Sequence, residues 1–288
     1  MLNTKEEIEN WLNKYEVKNF IINDDLTVDV NGSVDLFEND LIEIPFKFGI
    51  IKGDFICYNN QLKSLKNSPS EVNGNFNCSG NNLTSLQHCP QKIGKNFDCS
   101  LNDLTSLKHS PQEIKGDFIC VLNDLTSLEY CPKEIHGNFS CGENNLTSLE
   151  HCPQKIGGSF NCCDNVLDSL KHCPEVIKMN FDCSNNELMS LKYGPHKTNG
   201  DFICAGNRLT SLEYLPLKVR YLYCNNNNIK KESLSDFSSD VEKFLISDFG
   251  DKEEFLMEVK KQKSLKEKEN LKKIINSTEN GQLIKKRL

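Results

Sequence analysis

A phenylalanine recurs every 21 residues through the middle of the chain, and this period constrains the fold more than any other feature. A cysteine follows two residues after each of eight successive phenylalanines. The eight pairs are Phe55 and Cys57, Phe76 and Cys78, Phe97 and Cys99, Phe118 and Cys120, Phe139 and Cys141, Phe160 and Cys162, Phe181 and Cys183, and Phe202 and Cys204. A period of roughly 20 to 50 residues is typical of solenoids, in which each unit buries its apolar face against the next unit.

The remaining positions of the unit also recur, and each predicts a local structure. The unit reads F-x-C-x-x-N-x-L-x-S-L-x-x-x-P-x-x-(I/V)-x-G-x. Alternation of Phe and Cys predicts a short strand with both side chains facing the interior. The Asn predicts a turn whose side chain bonds the backbone groups left unpaired there, stacked into a ladder. The Pro excludes a regular helix, so the return leg is predicted to be extended or a single 3₁₀ turn.

The pattern decays at both ends. Upstream, Val34, Leu36, Asn39 and Leu41 keep the register with Leu in place of Cys, and downstream the step from Cys204 to Cys224 shortens to 20 residues. We therefore predict about ten coils over residues 32–230. Residues 1–31 are predicted to form an N-terminal cap, and residues 231–288 a C-terminal helical cap and lysine-rich tail.

The flanking segments have their own signals. A helix is predicted over residues 4–15, with Thr4 as N-cap and Glu7 completing a capping box. Residues 19–30 alternate like strands. A short helix is predicted over 239–246 and a longer one from 251 to about 275, before a frayed tail from 282 to 288.

The segment GNFNCSGNNLTSL at 74–86 resembles the leucine-rich-repeat family, whose hallmark is L-x-x-L-x-L-x-x-N-x-L. The resemblance covers about two thirds of the chain. It implies an α/β-type solenoid: a right-handed coil with a parallel β-sheet on one face, short non-helical return legs and helical caps. The short unit is similar to bacterial and phage-encoded members. The I-x-G spacing before the strand departs from the family's L-x-x-L. The resemblance also implies a protein-binding role.

The outward side chains of the predicted strands form a candidate binding surface. They lie before Phe, between Phe and Cys, and after Cys, and they include five Asp but no Lys or Arg. Apolar and aromatic side chains among them predict a protein partner with a basic or mixed surface. The alternative is that repeat duplication copied a solubilising Asn/Asp/Ser face. The candidate residues are Asp54, Ile56, Tyr58, Asp98, Asp117, Ile119, Asp182, Asp201, Ile203, Tyr221 and Tyr223.

Two further columns carry chemistry-bearing side chains. The recurring cysteines lack the C-x₂₋₄-C pairs of zinc sites, which favours core thiols and predicts no bound metal or cofactor. A second column on the return leg favours stacked aromatic rings, with the following Cys turned inward, over a metal or redox array. Nucleophilic catalysis needs one privileged pair, so repeated pairs predict no catalytic site. The column consists of His88, His109, Tyr130, His151, His172, Tyr193 and Tyr214.

Composition narrows the function classes. A net charge of −7 disfavours nucleic acid, and no apolar run reaches the roughly 20 residues of a membrane span. The N-terminus lacks a signal peptide, and the 14 cysteines fit a reducing compartment, so we predict a cytoplasmic protein, in the host cytoplasm if virus-encoded.

Three function hypotheses follow. The first is a non-enzymatic protein-binding scaffold that sequesters or inhibits a host protein. The second is a structural component of a virion or cellular assembly. The third is an enzyme-bearing effector, which the sequence disfavours: some bacterial family members append a ubiquitin-ligase domain with a catalytic Cys, and no Cys follows residue 230. The partner's identity and the oligomeric state stay open.

Overall fold

The N-terminal segment begins with a capped helix. The computed structural model describes residues 2–285, with side chains described except at 243–246 and 275–285. Helix α1 spans Lys5–Lys14, and the Thr4 side chain accepts a hydrogen bond from the Glu7 N–H at 3.2 Å while the Glu7 carboxylate accepts from the Thr4 N–H. Strands β1 (Phe20–Ile22) and β2 (Val28–Val30) follow as an antiparallel pair. The capping box and the strands agree with the sequence prediction.

Each coil of the repeat region contributes two short strands on different faces. The odd-numbered strands lie on one face and the even-numbered strands on the return leg. In chain order they are Val34–Asp35 (β3), Phe48–Ile51 (β4), Phe55–Ile56 (β5), Glu71–Val72 (β6), Phe76–Asn77 (β7), Lys92–Ile93 (β8), Phe97–Asp98 (β9), Glu113–Ile114 (β10), Phe118–Ile119 (β11), Glu134–Ile135 (β12), Phe139–Ser140 (β13), Lys155–Ile156 (β14), Phe160–Asn161 (β15), Val176–Ile177 (β16), Phe181–Asp182 (β17), Lys197–Thr198 (β18) and Phe202–Ile203 (β19).

The odd-numbered strands form one parallel sheet in register, Phe beside Phe, which we call the strand-face sheet. With β20 (Lys218–Tyr223) and β21 (Asp240–Ile246) at its C-terminal edge, it has eleven strands within the described residues. The even-numbered strands form a second, interrupted parallel ladder that the repeat pattern did not predict. We call it the return-leg ladder. The predicted solenoid with a parallel sheet and non-helical return legs is confirmed.

The interior is built from columns of identical side chains. The Phe rings from Phe55 to Phe202 follow one another at centroid distances of 5.3–5.9 Å, and all of them are buried. The strand cysteines are buried beside them, and the Cys120 thiol donates to the Ser140 carbonyl at 3.4 Å. Burial raises the pKa of Cys57 to about 12. All 14 cysteines are free, so each coil is held to the next by packing and hydrogen bonds.

The predicted asparagine ladder is present in every regular coil. Asn123 illustrates it: its Nδ2 donates to the carbonyls of Cys120 at 3.3 Å and of Cys99 in the preceding coil at 3.1 Å. Its Oδ1 accepts from the Leu104 N–H at 3.0 Å. Leu122, just before it, has a left-handed backbone with φ of 54°, which ordinary side chains avoid. The hydrogen bonds of the Asn side chain satisfy backbone N–H and C=O groups that the sharp turn leaves without partners in the sheet.

The last coil lacks one residue, and this changes its shape. Nine positions separate Pro195 from Cys204, but only eight separate Pro216 from Cys224. Asn199 has no counterpart, because the Arg220 N–H donates to the Gly200 carbonyl as equivalent residues of earlier coils do to each other. Without that corner, β20 runs as one strand of six residues where earlier coils have two strands of two. The shortened coil therefore leaves the return-leg ladder and joins the strand-face sheet.

The predicted helix over 239–246 is wrong, because this segment is strand β21. It pairs with the exposed backbone edge of β20, with Lys218 opposite Asp240 and Tyr223 opposite Ile246. A local sequence pattern does not contain this cause, since the unpaired edge exists only once the preceding coils have stacked.

A 3₁₀ helix (Lys231–Asp236) and helix α2 (Lys252–Lys285) complete the described chain. Phe255 of α2 is buried against Phe237 and Phe249, with ring centroids 5.0 and 6.3 Å apart. The helix is longer than predicted and includes residues 282–285, which were predicted to be frayed, and the rest of that tail, 286–288, lies outside the described residues. The predicted domain limits at 31 and 230 stay a prediction.

Candidate functional site

The candidate residues lie together on the outward surface of the strand-face sheet. They occupy three parallel columns, since equivalent positions pair in register from coil to coil, as Ile119 does with Asp98 and Ser140. Neighbouring strands are only about 4.8 Å apart, so each side chain is flanked by its equivalents. All eleven candidates are therefore half-buried, whereas the sequence predicted them to be exposed.

The column before the Phe is a second polar ladder, which the sequence analysis missed. Asp54 Oδ1 accepts from the Asn75 N–H at 2.7 Å, and Asp117 Oδ1 accepts from the Asn138 N–H at 2.6 Å. Asn96 makes the same bond to the Asp117 N–H at 2.9 Å. Asparagine therefore suffices for the ladder, and each aspartate adds a negative charge that the bond does not require. The recurrence of Asn, Asp and Ser at this position of the repeat is the sequence feature that could have predicted this ladder.

The middle column contains carboxylates and isoleucines among neutral polar side chains. Asp98 and Asp182 accept hydrogen bonds from the N–H groups of Ser100 and Ser184 at 3.0 and 2.9 Å. Asn77 accepts the same bond from the Ser79 N–H, so the turn does not require the negative charges of Asp98 and Asp182. Burial raises the pKa of the Asp182 carboxyl, with the Ser184 hydrogen bonds opposing that rise.

The isoleucines of the middle column stand where other coils have polar side chains. Ile56, Ile119 and Ile203 are half-buried on the outer surface, although Asn77 and Ser140 show that polar side chains fit this column. Isolated half-exposed isoleucines contribute nothing to the interior. Their position suits contact with a ligand's apolar groups.

Aromatic side chains bound the face at both ends. Phe37 is 41% exposed and stacks on Tyr58 with ring centroids 5.2 Å apart. At the other end, the Tyr221 and Tyr223 rings lie 6.4 Å apart, and the Arg220 guanidinium lies 5.1 Å from the Tyr221 centroid. Phe37 and Arg220 were missed because they lie in the two coils that depart from the F-x-C register.

The return-leg column is exposed to solvent, and its cysteines are turned inward as predicted. His88 has φ of 72°, and the other members of the column share this left-handed backbone. Cys89, Cys152 and Cys173 are buried, and burial raises the pKa of each thiol. Protonated, buried thiols are poor nucleophiles. Within residues 2–285, no group of three or more His, Cys, Asp or Glu is arranged to hold a metal ion.

Helix α2 is too polar to cross a bilayer, and the same holds for every helix in the described part of the chain.

Comparison with known proteins addresses the fold. No protein-family model and no curated protein matches the chain. Among solved structures it is similar to YopM from Yersinia enterocolitica WA-314, with a TM-score of 0.53 and 21% identity over 76% of this chain and 53% of that one. The chain has the leucine-rich-repeat solenoid fold, with short repeats.

A second structure, of YopM described as a leucine-rich effector protein from Yersinia pestis, matches with a TM-score of 0.43 and 17% identity over 68% of this chain and 67% of that one. The leucine-rich-repeat chain spans about half the length of the Yersinia enterocolitica protein. At these identities the likeness concerns the fold.

Proposed function

We propose that this leucine-rich-repeat chain is a non-enzymatic scaffold whose strand-face sheet binds a protein with a basic or mixed surface. One observation carries the proposal. Asp54, Asp117 and Asp98 occupy ladder and turn positions where Asn in neighbouring coils makes the same hydrogen bond. Structure alone does not require these charges, so recognition is the role we assign to them.

The arrangement of charge and apolar surface supports a protein ligand. Aligned carboxylates with no Lys or Arg in the three columns create a field that attracts basic groups and accelerates encounter. The half-buried Ile119 and its equivalents, together with the terminal Tyr58 and Tyr223, provide the apolar and aromatic contacts that carry most of the affinity at protein interfaces.

A binding role without chemistry agrees with the titratable groups. The thiols of Cys120 and Cys141 are buried with raised pKa values, and no coil has a His–Cys pair that differs from its copies. The free cysteines fit a reducing cytoplasm, where we propose that the scaffold sequesters or inhibits its partner.

The first test removes charge from the strand face without changing its hydrogen bonds. Asp54, Asp98, Asp117, Asp182 and Asp201 are changed together to Asn, and proteins retained from a cytoplasmic extract by wild type and variant are compared quantitatively. We expect the main partner to be lost by about tenfold or more, because charge complementarity is removed. The same conclusion is supported if added salt weakens partner retention by the wild type but not by the variant.

A matched control removes five negative charges from the turns. It carries Asp103, Asp124 and Asp168 changed to Asn and Glu129 and Glu150 changed to Gln, all at exposed positions. We expect it to retain the partner. Equal loss in both variants, with both folded by circular dichroism, would show that net charge and not the strand face governs binding.

A second test addresses the apolar contacts. Ile119→Asn places in the middle column a residue that Asn77 shows to be compatible with it. We expect faster dissociation of the partner without loss of fold. An unchanged dissociation rate for a partner that the charge variant releases would limit the site to electrostatics.

A further inference from the structure

The return-leg ladder opens at three places, and a cleft lies at each opening. The interruptions fall between β10 and β12, between β14 and β16, and between β18 and β20. The corresponding cavities have volumes of about 480, 300 and 560 Å³. The last is the largest of the three, and we call it the C-terminal cleft.

The C-terminal cleft follows from the residue missing in the last coil. Because Asn199 has no counterpart, β20 runs on as one strand, and Lys218 pairs with Asp240 of β21 instead of with β18. Within the described residues, β18 is paired only with β16. β20 still lies beside β18, and residues of both strands line the cleft, with Leu217 and Val219 contributed by the last coil.

Charge distinguishes this cleft from the other two. Its lining includes Lys197, Lys218 and Arg220 against a single carboxylate, Glu242, and also contains His196. Glu242 lies 2.6 Å from the Lys218 ammonium. Among the described residues, neither Lys197 nor Arg220 has a carboxylate within salt-bridge distance. A surplus of two positive charges thus gathers in a chain of net charge −7.

The other clefts are close to neutral. In the cleft between β14 and β16, Lys155 is paired with Glu134 at 3.4 Å, and Lys178 adds one positive charge. The cleft between β10 and β12 has Glu113 and Glu134 against Lys133. The repeat therefore does not produce a basic cleft by default, and the C-terminal cleft needs its own explanation.

We propose that the C-terminal cleft binds the phosphate monoester of a phosphorylated peptide segment. A phosphomonoester carries about −1.5 to −2 charges at neutral pH, which matches the surplus of two better than one carboxylate does. A guanidinium donates to phosphate oxygens in a two-pronged geometry, and the ring of Tyr221 lies 5.1 Å from the Arg220 guanidinium carbon and orients it. The cleft shares Arg220 with the end of the strand face, where that side chain flanks Tyr221, but the proposal does not depend on the function proposed for the strand face.

Two features favour a peptide over a free anion. The cavity is within the range of pockets that take organic ligands, roughly 300 to 1,000 Å³, and Leu217 is 75% exposed as an apolar wall. The phosphate then contacts Lys197 and Arg220 while apolar groups of the peptide pack against Leu217.

The test uses the full chain and a fluorescent pentapeptide, Gly-Gly-phosphotyrosine-Gly-Gly, with its unphosphorylated form and inorganic phosphate as separate probes. Fluorescence anisotropy is expected to show the phosphopeptide binding about tenfold or more tightly than the unphosphorylated peptide. Inorganic phosphate is expected to compete only weakly. Phosphate that competes as strongly as the phosphopeptide would overturn the peptide assignment, and a short single-stranded oligonucleotide that binds more tightly would overturn the ligand class.

Variants locate the site. Lys197→Gln and Arg220→Gln are each expected to weaken phosphopeptide binding about tenfold, and Arg220→Lys to weaken it less, because charge remains while the two-pronged geometry is lost. The matched control is Lys155→Gln in the neighbouring cleft, which should bind like wild type. All three positions are exposed, so folding should be retained, as circular dichroism would verify. No phosphopeptide binding by wild type at millimolar concentration, or equal losses in the control, would overturn the proposal.

Discussion

The regular coils and the last coil satisfy their backbone by different means. Between residues 55 and 204, each ladder asparagine bonds to backbone groups of the neighbouring unit, as Asn123 does to Leu104 and Cys99. After the last coil no such unit follows, and the Asp248 carboxylate accepts from the N–H groups of Asn226 and Asn227 at 2.7 and 3.0 Å. A repeat fold thus needs dedicated side chains only where its repetition stops.

Alkaline pH should destabilise the regular coils much more than the last coil, because most of the buried thiols lie in the regular coils. Burial raises the pKa of Cys57 to about 12 from an ordinary 9.0, and raises that of Cys120 likewise. The pKa of each of these thiols is higher in the folded protein than in the unfolded chain. Their contribution to stability is therefore complete below pH 9 and is lost as pH rises above it. Each such thiol then costs about 1.4 kcal/mol of unfolding free energy per pH unit, so we expect unfolding near about pH 10 by circular dichroism.

A double variant sharpens that expectation. Changing Cys120 and Cys141 to Ala should lower stability at pH 7 but make its decline above pH 9 shallower by about 2.7 kcal/mol per pH unit. An unchanged slope would show that lysine and tyrosine titration, and not the thiol column, drives alkaline unfolding.

The asparagine ladder should matter more in the middle than at the end. Asn123→Ala leaves the buried Leu104 N–H unpaired and removes one of two donors from each of three carbonyls, and we expect a loss of about 2–3 kcal/mol in urea unfolding. Asn227 is only half-buried, so Asn227→Ala should cost about half as much. Equal losses would mean that the end coil is as well packed as the middle.

Removal of the terminal cap should have a smaller effect. Asp248→Ala leaves two N–H groups without their carboxylate, and water can reach them in part, so we expect a loss of about 1–2 kcal/mol. Hydrogen exchange at Asn226 and Asn227 should accelerate while exchange in the regular coils stays slow. Asp103→Ala on an exposed turn is the control and should change stability by less than about 0.5 kcal/mol.

The smallest effect on stability is expected from making the last coil regular. Inserting one Gly between Val219 and Arg220 restores the 21-residue step, and stability should change by less than about 1 kcal/mol. Hydrogen exchange at Lys218 and Val219 should slow if β20 then pairs with β18, and phosphopeptide binding should fall. Unchanged exchange would show that the missing corner is not what opens the C-terminal cleft.

The sequence predicted the repeated interior and turns, but it missed two other repeated features, the return-leg ladder and the polar ladder before the Phe. The inward Phe55 and Cys57, the Asn60 ladder and the outward columns follow because eight copies report the same environment. It failed where a contact occurs once: β21 forms a strand only because β20 has a free edge, and this cause is tertiary. Asp248 was detectable, since it lies 21 residues after Asn227 and continues the register by one step.

Half-burial of the candidate site was also beyond a pattern of single coils. The outward position of Asp54 follows from alternation, but its exposure depends on the close approach of the neighbouring strand. The negative charge of Asp117 is not required by its hydrogen bond to the Asn138 N–H. This follows only from the structure, in which neutral Asn96 accepts the equivalent bond from the Asp117 N–H.

The column of phenylalanine rings has a consequence for how such a molecule can change over generations. Since every interior ring meets an identical neighbour, a whole unit can be gained or lost by recombination without creating an unfamiliar contact. Each gain lengthens the outer surface by about 5 Å and leaves both termini as they were. The length of the molecule can therefore be matched to the size of its binding partner by adding or removing one repeat unit at a time.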